Sequence, residues 1–203
     1  MVQATLEAQE ISSNAKKYLS KNPLQRLIVS RFLDKVGELV QSQRPTRVLD
    51  AGCGEGFVLN ELRERLPGAS LVGVDFSVGA LGYRLHSNGQ WDRMRGDVTR
   101  LPFRDSSVEV VTCLEVLEHL PRPDEALAEL ARVCSRSIVL SVPHEPWFRI
   151  ANLARLKNLR ELGNGPGHIQ HWSARSFRRQ VASHFRVKAV TTSFPWTIVL
   201  AER

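Results

Sequence analysis

The sequence predicts an α/β fold: a mostly parallel β-sheet with helices on both faces, finished by an antiparallel C-terminal hairpin. Three observations carry this. Short apolar runs alternate with amphipathic stretches from residue 46 to residue 143, the pattern of right-handed βαβ units. The last two β-rich runs, RVKAVTT and WTIVLAER, are separated only by Ser193, Phe194 and Pro195. A parallel crossover needs about a dozen residues, so this pair must run antiparallel. No internal repeat or low-complexity linker interrupts the 203 residues, and one domain suffices.

The elements follow in order. Residues 1–45 read as helical: Leu24, Leu27, Ile28, Phe32, Val36, Leu39 and Val40 keep a period near 3.6. Asn22 caps the stretch, Pro23 suits its first turn and Pro45 ends it. TRVLDAG is a buried strand, FVLNELRERLPG a helix, SLVGVD a strand, and SVGALGYRLHSN a helix weakened by two glycines. WDRMRGD and SVEVVTCLE are strands, and PDEALAELARVC is a helix with Pro123 at its start and acids in its first turn. RSIVLSVP is the next strand. The last third opens with a helix, EPWFRIANLARLKNLREL, and a glycine-rich turn, GNGPG, and continues with the helix SARSFRRQVASHF before the hairpin.

Composition narrows the function. Apolar content of 42% and charged content of 24% are those of an ordinary globular chain. No apolar run is long enough to span a membrane, and the N-terminus lacks the apolar core of a signal peptide; a cytoplasmic location is the expectation. The three cysteines, Cys53, Cys113 and Cys134, have no C-x-x-C spacing, which argues against disulfides and structural zinc. The net charge of +7 suits nucleic acid or an anionic substrate, but the arginines are scattered without a block of like charge. Nucleic acid is therefore the second-choice partner.

The chemistry starts at LDAGCGEGF. Gly52, Gly54 and Gly56 run G-x-G-x-G behind Asp50, where the dinucleotide fingerprint would read G-x-G-x-x-G. The turn into a helix N-terminus offers free N–H groups, and glycine lets a ligand approach the backbone. A carboxylate beside the loop is awkward for a pyrophosphate and suits a ligand with an ammonium or sulfonium centre. Asp75 ends the second strand, where an acid can accept both ribose hydroxyls. Asp97 ends the third, placed for an adenine amino group.

VLDAGCGEG, LVGVDFS, RGDVTRLPF and VVTCLEVLEHL, in that order, resemble the successive motifs of class I S-adenosylmethionine-dependent methyltransferases. The resemblance covers residues 46–142 and implies a Rossmann-like seven-stranded sheet whose last strand is antiparallel. It implies a methyltransferase with S-adenosyl-L-methionine as cofactor. Asp50, Gly52 and Gly54 would line its methionine part, Asp75 would hold the ribose, and Phe76 would flank the adenine. Asp97 and Val98 would read the adenine edge, Cys113 and Leu114 would touch the other face, and Tyr18 would reach the carboxylate. The chain then divides into a helical cap (1–45), a cofactor-binding core (46–142), a substrate lid (143–172) and a C-terminal helix with the hairpin (173–203).

Beyond the fourth strand, LEVLEHL holds Glu115, Glu118 and His119, and GHIQHWS later supplies His168 and His171. On a helical turn Glu115 shares a face with Glu118 or His119. Carboxylates with imidazoles suit a divalent ion such as Mg2+. The cluster resembles that of ubiquinone-biosynthesis O-methyltransferases and of small-RNA 2′-O-methyltransferases, which implies Glu115, Glu118, His119 and His168 as metal ligands. Without a metal, Glu118 and His119 would only cap or orient the following loop. His119, His144, His168 and His171 are then the candidate bases, His144 lying just after the fifth strand.

The lid carries Trp147, Phe148 and Trp172 with Arg149, Arg155, Lys157 and Arg160, which suits an aromatic or anionic acceptor. As a plain amphipathic helix it would instead pack Phe148, Leu153, Leu156 and Leu159 inward. The favoured reading is O-methylation of a small hydroxylated aromatic or natural-product-like acceptor. An RNA 2′-O-methyltransferase and a non-catalytic cofactor-binding module are the alternatives.

Overall fold

The computed structural model describes residues 13–83, 91–154 and 167–203. Outside them lie the first twelve residues of the cap, residues 84–88 of the helix read in SVGALGYRLHSN, most of the GNGPG turn, and lid residues 155–166, with Arg155, Leu156, Lys157, Leu159 and Arg160.

Helices α1 (Ser13–Tyr18) and α2 (Pro23–Ser42) form the described part of the N-terminal helical cap, and α2 starts at the Asn22 cap that the sequence indicates. The Asn22 Oδ1 accepts from the N–H groups of Leu24 (2.9 Å) and Gln25 (3.2 Å) and so starts the helix. Within α2, Val29, Phe32, Val36 and Val40 make one buried stripe.

Strand β1 (Arg47–Ala51) is followed by α3 (Phe57–Arg65), β2 (Ser70–Asp75), α4 (Val78–Gly82) and β3 (Asp92–Arg95). Then come β4 (Val108–Leu114), a 3-10 turn at Leu117–His119, α5 (Pro123–Val133) and β5 (Cys134–Pro143). Helices α6 (Trp147–Ala154) and α7 (Ala174–Ala182) precede β6 (Arg186–Ser193) and β7 (Trp196–Glu202). The seven strands form one sheet in the order β3-β2-β1-β4-β5-β7-β6. The first five are mutually parallel, and β7 runs antiparallel between β5 and β6. The predicted fold class is what the chain adopts.

Strand alternation divides the core between the two faces. Val48, Val110 and Val139 pack with α2 and α3 through Phe32, Leu59 and Leu62. Their neighbours Leu49, Val111 and Leu140 pack with α5 and α7 through Leu127, Leu130 and Phe177. The strand order reverses between β1 and β4, so the carboxyl ends there open a crevice, where ligands of parallel α/β sheets bind.

Candidate active site

The crevice is a cavity of about 470 Å3, within the range of small-molecule sites. The glycine loop forms its floor. Gly52 and Cys53 both donate their N–H to the Val74 carbonyl, at 2.7 and 3.0 Å, which folds the chain back over β2. Gly52 has φ +85°, and a Cβ there would stand 2.2 Å from Val116 Cγ2, so only glycine fits. Gly56, at φ +87°, opens α3.

Asp50, Gly52 and Gly54 line the cavity, as do Asp75, Phe76, Asp97 and Val98. Leu114 and Tyr18 also border it. Cys113 does not. It is fully buried in the cluster under α5 and α7, because alternation along β4 sends Leu114 and its neighbour to opposite faces. Asn14, Glu55 and Phe57 line the cavity as well and were not singled out from sequence. Glu55 and Phe57 lie within or beside the glycine motif, whereas Asn14 arrives through tertiary packing, its Nδ2 donating to Glu55 Oε2 at 2.8 Å.

Each acid is held by local bonds. Asp75 Oδ2 accepts the Gly54 N–H (2.7 Å) and Oδ1 the Ser77 N–H (2.8 Å), tying the end of β2 to the glycine loop. Asp97 Oδ1 accepts the N–H (2.8 Å) and hydroxyl (2.7 Å) of Thr99, and no bond from a protein donor to Oδ2 is found among the described residues. Asp50 is buried and takes a 2.6 Å bond from the Thr112 hydroxyl. Burial pushes its pKa from 3.8 up to about 7; the Asp75 charge adds to this, and the Thr112 bond opposes it. Burial, with the charges of Glu115, Asp50 and Glu55, also drives the Tyr18 phenol well above its usual range, so it stays a hydrogen-bond donor. Its ring stacks on Phe57 at 4.4 Å. In a chain of net charge +7, this crevice concentrates carboxylates, an environment that favours a cationic ligand.

The Asp50 shift has a measurable sign. The folded protein keeps a proton that the unfolded chain releases between about pH 4 and pH 7, so stability declines as pH rises through that window. An acid titrating near 7 instead of 3.8 costs the ligand-free fold up to about 4 kcal/mol above pH 7. Asp50→Asn is therefore expected to be more stable than wild type in denaturant at pH 8 and equally stable at pH 4. Parallel pH curves for the two proteins would refute the assignment.

At the β4 end of the cavity stand Glu115 and His119. Glu115 has φ +60° and precedes the 3-10 turn, so the expected helical face shared with Glu118 does not form. Glu118, His119 and His168 come together instead, one ligand atom of each lying within 4.8 Å of the others; Glu115 stands outside that group. Lys17 Nζ lies 4.0 Å from Glu115 Oε2. Burial raises the carboxyl pKa of both glutamates, against the Lys17 charge, and at Glu118 the Glu115 charge adds to it. Both Glu118 carboxylate oxygens are buried without a hydrogen-bond partner.

His119 Nδ1 lies 3.0 Å from the Gly167 carbonyl. A carbonyl only accepts, so Nδ1 is the donor here, and in the neutral ring Nε2 is the nitrogen that carries the lone pair. The His168 ring meets His119 edge-on at 4.8 Å and stacks on Phe148 at 5.5 Å. Burial first, then the His119, His171 and Lys17 charges, lowers its pKa to about 4, which keeps the imidazole neutral. His144 lies outside the cavity wall, its Nδ1 2.7 Å from Thr197 Oγ1. The lid helix α6 sends Phe148 inward as expected, but Leu153 is exposed together with Trp147 and Ile150. Those three share a stripe that the helical period turns away from Phe148.

Comparison with known proteins agrees with this geometry. Residues 49–140 match a methyltransferase domain family. A ubiquinone biosynthesis O-methyltransferase of Hahella chejuensis is 40% identical over 92 residues, 43% of this chain and 38% of that protein. A malonyl-[acyl-carrier protein] O-methyltransferase of Gallionella capsiferriformans is 32% identical over 172 residues, 80% of this chain and 57% of the relative. The chain thus spans less than two thirds of the length of either. The structure of magnesium protoporphyrin IX methyltransferase from Synechocystis PCC 6803 superposes with TM-score 0.68 at 24% identity, covering 90% of this chain and 88% of that one. The motif series, the sheet order and these matches identify residues 49–140 as a class I S-adenosylmethionine-dependent methyltransferase domain.

Proposed function

We propose that the protein transfers the methyl group of S-adenosylmethionine to a hydroxyl of a small hydroxylated aromatic or natural-product-like acceptor. The observation that carries this is the position of His119, which lines the cofactor cavity and belongs to the Glu118, His119 and His168 cluster. Donor site and acceptor chemistry meet at that residue. In this reading Asp75 takes the ribose hydroxyls, Asp97 and Val98 the adenine edge, Asp50 faces the cationic half of the donor, and Tyr18 donates to its carboxylate. A cation binds the ionised form of Asp50, so donor affinity rises as pH passes 7.

The methyl of a sulfonium is already activated. Transfer forms the O–CH3 bond as the C–S bond breaks, the electron pair staying on sulfur as a thioether, provided the nucleophile is held in line about 3 to 3.5 Å away. An ordinary hydroxyl must also lose its proton. The Glu118, His119 and His168 set fits a divalent cation, offering an unpartnered buried carboxylate, a free Nε2 lone pair and a neutral imidazole. Such an ion lowers the pKa of a bound hydroxyl. If no ion is bound, His119, at the cavity wall, would accept the proton through Nε2. We place the acceptor beside His119, on the side where Phe148 of α6 stacks on His168.

A methyl-transfer screen with labelled donor over phenols, catechols and alcohols, with and without Mg2+, tests this. Label in at least one hydroxyl acceptor is expected. A protein that binds the donor yet labels only amines or RNA would overturn the acceptor reading.

A further inference from the structure

The 3-10 turn that carries Glu118 and His119 is gripped by one short stretch, residues 167–170, through four hydrogen bonds. The N–H groups of Ile169 and Gln170 both donate to the Glu118 main-chain carbonyl, at 2.9 and 3.1 Å. The Gln170 side-chain amide donates to the Leu120 carbonyl at 3.3 Å. In the return direction, His119 Nδ1 donates to the Gly167 carbonyl at 3.0 Å. Gln170 thus holds the turn on both sides of His119, once with its main chain and once with its side chain.

Two features make this clasp more than loop packing. His119 is exposed and borders the donor cavity beside Leu120, so core packing does not fix its ring, and exposed side chains change rotamer freely. Among the described residues, the ring is held by the bond to Gly167 and by the edge of His168, centroid to centroid 4.8 Å. The Gly167 φ of +77° is open to glycine at little cost. His168, for its part, lies inside the clasp, between the Gly167 carbonyl and the Ile169 N–H. The bonds that flank it set where its imidazole stands relative to Glu118 and His119. One clasp therefore delivers one histidine and orients the other.

We propose that Gln170 is a positioning residue for methyl transfer: it locks residues 167–170 onto the 3-10 turn, so that the Gly167 carbonyl holds the His119 Nδ1 proton and leaves Nε2 for the acceptor's proton or a divalent ion. The inference rests on the proposed function and deepens it. Gln170 does not border the donor cavity; it acts through His119 and His168. A hydrogen bond at one ring nitrogen decides which form of the other a histidine presents. The competing role is that Gln170 merely pins a loop to the fold.

Two variants separate these. Gln170→Met keeps the side-chain length and removes the amide donor. Gly167→Ala places a methyl group at a strained positive φ, 3.4 Å from His119 Nδ1, and shifts the carbonyl. Heteronuclear NMR of the histidine rings at alkaline pH, with His119 assigned from a His119→Gln variant, reads the tautomer without metal, donor or acceptor. The wild type is expected to show His119 protonated at Nδ1. Both variants should move it towards the Nε2-protonated form that a free imidazole prefers. With a hydroxyl acceptor from the screen, kcat of Gln170→Met should fall about 10- to 100-fold, with donor affinity and acceptor KM unchanged. A wild-type ring protonated at Nε2, or a wild-type tautomer retained in both variants, overturns the proposal. So does a lowered Tm in Gln170→Met with kcat unchanged. If no hydroxyl acceptor is labelled, the proposed function fails, and the NMR result still decides the clasp.

Discussion

Asp75→Ala is expected to weaken S-adenosylmethionine binding by about a hundredfold or more. Two charge-assisted bonds to ribose hydroxyls are worth roughly 1.5–3 kcal/mol each, and tenfold in affinity is about 1.4 kcal/mol. A second effect adds to the first. The same carboxylate accepts the Gly54 N–H at 2.7 Å and the Ser77 N–H at 2.8 Å, so its loss loosens the loop that floors the cavity. Asp75→Asn separates the two contributions, because the amide oxygen can still accept one backbone N–H while the charge is gone. Calorimetric titration of the three proteins reads the result, with unfolding curves as the control for stability. Undiminished binding by Asp75→Ala would remove the ribose assignment.

Glu118→Gln is expected to lower methyl transfer by about a hundredfold with donor affinity unchanged, and EDTA should reproduce the loss in the wild type. Glu118 is 1% exposed, neither carboxylate oxygen has a partner, and Glu115 sits close enough to raise its pKa. Such a group weakens the ligand-free fold, so neutralising it should leave Tm unchanged or higher. A residue kept only to shape the loop would show the reverse: lower Tm and little change in turnover. Full turnover after chelation, together with an active Glu118→Gln, would eliminate the cation and leave His119 to accept the proton.

The sheet was legible because its signals are local. Each of the seven strands overlaps a run singled out from the sequence, with β5 starting two residues earlier, at Cys134, and β6 ending one residue later, at Ser193, and three residues between the last two runs forced the antiparallel pair. The donor side was legible for the same reason: Asp50, Asp75 and Asp97 each sit at or just past the end of a parallel strand, and such ends converge on one crevice. What local pattern could not supply was direction and distant partners. Cys113 and Leu114 are adjacent in sequence, yet alternation puts only Leu114 on the cavity. Glu115 fell out of the expected cluster because positive φ at that residue turns the chain before the 3-10 turn begins. The break between α1 and α2 was written in Asn22, a strong cap inside a periodic stretch.

The central claim is that the G-x-G-x-G loop behind Asp50 holds a sulfonium donor and not a nicotinamide dinucleotide. Parallel calorimetric titrations of the wild-type protein with S-adenosylmethionine and with NAD test it most directly. The account predicts saturable one-to-one binding of S-adenosylmethionine, strengthening as pH rises through 7, and no binding of NAD. Binding of NAD with no heat from S-adenosylmethionine would contradict it.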